Sequence, residues 1–140
     1  MTHSPSTHLF VRRLLLTDAV VSGATGALMA LAATLLEPWL GLPAPLLRFA
    51  GIVLLPFAAV VAWLGRQNAP ARVGVQAIIA TNFAWVAGSV LLLVAGGVSP
   101  TGLGIAFVLF QAAVVFVLGE MQLVSLRKSH QSQGFGGQTV

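Results

Sequence analysis

The sequence predicts an all-α integral membrane protein, a four-transmembrane-helix bundle of two hairpins with both termini cytoplasmic. Three observations carry this. Of the 140 residues 57% are hydrophobic and 7% charged, against about 25% charged in a soluble domain, so there is too little polar surface to coat a water-facing globule. The apolar residues fall into four runs, each long enough at ~1.5 Å per residue to cross a hydrocarbon core of ~30 Å. Six of the seven basic residues (Arg12, Arg13, Arg66, Arg72, Arg127 and Lys128) stand beside the ends that four crossings bring to one side, leaving Arg48 on the other. The excess of Lys and Arg assigns that side to the cytoplasm.

One membrane domain at 9–127 is expected between two tails. Residues 1–8, MTHSPSTH, are polar, with His3 and His8 outside any span, and read as a disordered terminus. Residues 128–140 are polar, glycine-rich and without periodicity, and read the same way.

The first helix, about 11–36, is built on the apolar run Leu14–Leu36. An acid inside that run, and its continuation to Leu36, argue against a cleaved signal peptide. Asp18, Ser22, Gly26 and Ala30 recur every four residues and share one face, where small side chains let a neighbouring helix approach. Thr17 and Asp18 also fit a helix cap at the interface. The segment 37–47, EPWLGLPAPLL, has three prolines and a glycine and predicts a turn, with Trp39 suited to the headgroup zone.

The second helix is expected at 45–65, with Pro56 predicting a kink and Trp63 marking the exit. A short polar loop at 65–72 leads into the third helix, 71–95. There Ala80, Ala84 and Gly88 form a second small-residue row, while Asn82, Trp85 and Ser89 share a different face. An amide in hydrocarbon needs a partner, so Asn82 is expected to face another helix. The uncharged turn 96–102 precedes the fourth helix, 101–126, which places Gln111, Leu118, Gln122 and Ser125 along one side and Glu120 on another. FAAVVAWLG at 57–65 resembles QAAVVFVLG at 111–119, a faint echo between the second helices of the two hairpins.

The net charge of +4 rests on basic residues spaced along the membrane boundaries, not gathered in a patch, which argues against nucleic acid as a partner. There is no cysteine, so disulfides and thiolate metal sites are excluded. No histidine or lysine lies in a predicted span, there is no phosphate loop or metal-ligand spacing, and no Ser/His/Asp set can assemble. The expectation is accordingly no enzyme activity, no metal and no cofactor.

The candidate intramembrane polar site comprises Asp18, Asn82, Gln111 and Glu120, with Gln76 as further polar company. Asp18 lies six residues after Arg12 and Glu120 seven before Arg127, which places both acids roughly 9–11 Å inward of the basic residues. Equal depth is what a shared proton-exchanging site would require. Two functional expectations follow. One is a structural or accessory component of a bacterial inner membrane, its partners the lipid bilayer and a second copy or another membrane protein. The other is a small oligomeric proton-coupled transporter or channel using Asp18 and Glu120.

Overall fold

The computed structural model describes residues 5–134, and every regular element among them is an α-helix. They are α1 (Pro5–Leu31), α2 (Ala33–Leu40), α3 (Ala44–Arg66), α4 (Arg72–Val94) and α5 (Gly102–Gly134). Among the described residues four stretches are long and apolar enough to cross a membrane: Ser6–Leu31, Ala44–Arg66, Arg72–Val94 and Gly102–Ser129.

The helices reach further than the apolar runs that predict them. Residues 5–8, expected to be part of a disordered terminus, are the opening of α1, with proline at the first helical position, where its missing N–H costs nothing. Residues 128–134, expected to be tail, continue α5. No glycine or proline stands between Gly119 and Gly134 to stop the helix, and the Ser129 hydroxyl donates back to the Ser125 carbonyl at 3.0 Å. The expectations for residues 1–4, His3 among them, and for 135–140 lie outside the described residues.

The expected single helix at 11–36 is broken at Ala32 (φ −104°, ψ 14°), and the segment through Glu37 and Pro38 is the short helix α2, not a turn. No glycine or proline between positions 27 and 36 signals the break. Its consequence is tertiary: it sets the end of α2 against the start of α5. The Thr101 amide donates to the Leu40 carbonyl at 2.9 Å and the Thr101 hydroxyl to the Trp39 carbonyl at 2.6 Å. That hydroxyl in turn accepts from the Gly104 amide at 3.0 Å, as an N-cap does. Carbonyls orphaned at the end of one helix are thus satisfied by the cap of another. Gly41 closes α2 in the left-handed region (φ 64°), a conformation that glycine adopts without strain.

Helix α1 packs along α3 and α4 along α5, contact between α1 and α5 joins the two pairs, and α3 and α4 barely touch. The α1–α3 crossing is a backbone contact. A Cβ placed on Gly51 would lie 2.5 Å from the Ala30 nitrogen and 2.6 Å from the Gly26 oxygen. Gly26 and Ala30 are therefore where the small-residue row of α1 meets its neighbour. Between α4 and α5, the Phe83 and Phe116 rings meet edge to face at 5.8 Å.

These pairings make the helices run alternately up and down. The start of α1, the end of α3, the start of α4 and the end of α5 gather at one end of the bundle, which therefore holds six of the seven basic residues. There Arg12 Nε donates to the Gly65 carbonyl at 3.2 Å, capping the last turn of α3. Arg48 lies near the other end, in the first turns of α3.

In the row Ala80, Ala84 and Gly88 all three residues are exposed, and a Cβ on Gly88 would meet nothing within 4 Å. Helix α4 turns its Asn82 and Ser89 face to α5 instead, which leaves a cleft of about 430 Å³ between α3, α4 and α5.

Candidate functional site

Asp18 stands between Leu15 and Ala19 on the buried face of α1, beside a cluster formed with Val61 and Leu64 of α3 and Val75, Ile78 and Ile79 of α4. Its carboxylate has no exposed surface (0%), and neither does Gln122; Asn82 is 2% exposed. Three donors converge on it. Asn82 Nδ2 of α4 lies 2.7 Å from Oδ2, Gln122 Nε2 of α5 lies 2.8 Å from the same oxygen, and the Ser22 hydroxyl, one turn along α1, lies 3.1 Å from Oδ1. Asn82 Nδ2 also donates to Gln122 Oε1 at 3.3 Å, so the two amides are tied to each other as well as to the acid.

The arrangement satisfies the chemistry of an acceptor-only group. A carboxylate offers lone pairs and no hydrogens, and every group pointed at it here is a donor. A buried charge without such partners costs several kcal/mol in order of magnitude. Among the described residues no buried side-chain nitrogen or oxygen is left without a hydrogen bond. The network joins α1, α4 and α5 through residues 64 and 104 positions apart in sequence.

The structure does not bring Glu120 to this acid. Residues two apart on a helix point about 200° from one another, so α5, in turning Gln122 toward Asp18, turns Glu120 outward. Glu120 is exposed and borders a surface pocket of about 480 Å³ with Ser6, Thr7 and Lys128. Gln76 is also exposed.

Gln111 belongs to a second polar set, two turns further along α4. Its Oε1 accepts from the Trp85 ring nitrogen at 2.8 Å, and its Nε2 donates to the Ser89 hydroxyl at 3.2 Å. Ser89 in turn donates to the Trp85 carbonyl at 2.8 Å. The face that Asn82, Trp85 and Ser89 share is therefore polar along its length, but its two halves bind different partners.

Gln122 and Ser22 complete the site and are absent from the sequence-derived set. The signal for Gln122 was its depth, five residues before Arg127 where Asp18 is six after Arg12, and its three-turn spacing from Gln111. A search for paired acids passes over an amide. Among the described residues, no three His, Cys, Asp or Glu side chains are grouped to hold a metal ion.

Compared with protein-family models, with curated proteins and with solved structures, the chain matches none.

Proposed function

We propose that the chain is a non-enzymatic, multi-pass protein of a bacterial inner membrane, a structural or accessory component whose helices are locked together by a buried carboxylate. The observation that carries this reading is the Asp18 site. Among the described residues its carboxylate is hydrogen-bonded by Asn82, Gln122 and Ser22 and not by Glu120, and it has no exposed surface. An acid that relays protons needs an opening to water or a second group to exchange with. Here the acid sits where three helices meet and its bonds hold them in register, as polar side chains do between membrane helices. The six basic residues at one end of the bundle orient it with the start of α1 and the end of α5 in the cytoplasm. An accessory role further implies a partner within the bilayer, either another membrane protein or a second copy.

The test is proton flux. Purified protein reconstituted into liposomes containing a pH-sensitive dye is subjected to an imposed pH gradient. The expected result is leakage equal to that of empty liposomes, for the wild type and for Asp18→Asn alike. A flux that the wild type supports and Asp18→Asn abolishes would establish the proton-coupled transporter instead.

A further inference from the structure

The cleft between α3, α4 and α5 has features that a gap left by poor packing would lack. Its volume of about 430 Å³ falls within the roughly 300–1,000 Å³ of small-molecule sites. Its walls are apolar and aromatic, with Phe49 and Val53 from α3 and Phe107 from α5, and no charged side chain lines it. On α4 the small residues Thr81, Ala84 and Gly88 line it between the larger Trp85 and Leu92. Its polar groups are the Thr81 hydroxyl, bound to the Ala77 carbonyl, and those of the second set, Trp85, Ser89 and Gln111, fixed by their mutual hydrogen bonds. A preformed apolar cavity with a few converging polar groups is the general form of a ligand site.

Gln111 supplies a donor hydrogen that the described residues do not use. Its Nε2 carries two hydrogens, and its one acceptor among the described residues is the Ser89 hydroxyl. Gln111 lies nine residues into α5, about 13 Å along a span that crosses a core of about 30 Å. A charged headgroup at that depth would be costly, whereas a carbonyl or hydroxyl oxygen would accept the spare hydrogen. The volume also limits what can enter. Three turns of a helix about 10 Å across occupy roughly 1,200 Å³, well beyond this cavity. From the volume, the absence of charge and the spare donor, we infer that the cleft binds an uncharged lipid-soluble molecule that enters sideways between α3 and α4. The molecule places a carbonyl or hydroxyl oxygen on Gln111 Nε2 and its apolar body along Ala84 and Gly88. This ligand site is separate from the structural role of Asp18.

Trp85 in the cleft provides the readout, because Trp39 and Trp63 are exposed and can be replaced by phenylalanine. In that Trp39→Phe/Trp63→Phe background, decylubiquinone is titrated into nanodiscs containing the protein. The expected result is saturable quenching of Trp85. Gly88→Leu and, separately, Ala84→Leu fill the cleft and abolish the saturable part, with circular dichroism confirming the helical fold. Gln111→Leu raises half-saturation about fivefold, the worth of one neutral hydrogen bond. Quenching that rises linearly, or that ignores both leucine variants, overturns the proposal. Two parallel arms identify other occupants, and a positive result in either also overturns it. In the first, a bromine-labelled phosphatidylcholine quenches Trp85 saturably and decylubiquinone does not displace it. In the second, a single cysteine at Gly88 crosslinks two copies of a chain that otherwise has no cysteine.

Discussion

Asn82 and Asp18 stand 2.7 Å apart across 64 residues of chain, amide nitrogen to carboxylate oxygen, with no exposed surface on the acid. The pair explains how one acid is tolerated in so apolar a chain. It also turns a polar side chain in the second half of the sequence into the fixed partner of one in the first.

The first prediction concerns that pair. If Asp18 were only a cap, asparagine would replace it almost silently. In the network it cannot, because Asn82 and Gln122 both donate to Oδ2: an asparagine can keep an oxygen there but loses the charge that strengthens both bonds, and its NH2 then faces the Ser22 hydroxyl that donates to Oδ1 in the wild type. Asp18→Asn should therefore destabilise the bundle by about 2 kcal/mol, allowing for the modest worth of interhelix hydrogen bonds in membranes. Asn82→Leu and Gln122→Leu should each destabilise, and a double-mutant cycle between Asp18 and Gln122 should show coupling above ~0.5 kcal/mol. Glu120→Gln, at an exposed position, should leave thermal stability in detergent unchanged. Equal effects of Asp18→Asn and Glu120→Gln would refute the assignment.

How much of this was legible in the chain depends on the kind of signal. Hydropathy alone marks four spans, because length and apolarity need no tertiary information. The Asp18, Ser22, Gly26 and Ala30 face was legible from four-residue spacing, and its Gly26–Ala30 half proves to be the contact with Gly51. The same spacing at Ala80, Ala84 and Gly88 falls on exposed residues, since a small-residue row shows that close approach is allowed, not that a neighbour arrives. The break at Ala32 was illegible because no residue near it marks it, and the tie it makes possible lies about seventy residues away, at Thr101. Gln122 was hidden by chemistry: acids draw the eye as proton sites, while the donors an acid needs are ordinary amides.

The second prediction separates two glycines. Gly51→Ala would set a Cβ 2.5–2.6 Å from backbone atoms of α1, which cannot swing aside as a side chain can. A loss of about 1–3 kcal/mol is expected from overpacking. Gly88→Ala, with open space around it, should be neutral or stabilising by up to ~1 kcal/mol through helix propensity. Thermal unfolding of both variants in the same detergent checks the contrast. If Gly51→Ala unfolds no earlier than Gly88→Ala, α1 and α3 do not cross at this point.

The third prediction tests the tie between α2 and α5. Thr101→Val removes the hydroxyl that bonds both the Trp39 carbonyl and the Gly104 amide, and should cost about 1–2 kcal/mol. Thr101→Ser keeps the oxygen and should recover most of that loss. Gly104→Ala should be worse than either, because its Cβ would overlap the Leu40 carbonyl oxygen. Recovery by serine is the decisive comparison, since a purely packing role for threonine would leave serine as damaging as alanine.

The fourth prediction is orientation, and the fold dictates where to probe it. Because the chain has no cysteine, one introduced thiol is an unambiguous label. Gly41 is a poor site despite its place in a connecting segment: its φ is 64°, and a Cβ there would lie 2.6 Å from the Ser99 carbonyl oxygen. Ser99 itself is exposed and lies at the end of the bundle away from the basic cluster; Asn68 and Gln131 are exposed and lie at the basic end. If the six basic residues are retained in the cytoplasm, a membrane-impermeant maleimide added to intact cells should label Ser99→Cys and spare Asn68→Cys and Gln131→Cys. Permeabilised cells should label all three, which shows that the protected thiols were shielded by the membrane and not by the fold. Labelling of Asn68→Cys in sealed cells with Ser99→Cys protected would invert the topology. Labelling of both in sealed cells would mean that copies insert in two orientations, and that six charges against one do not fix the direction.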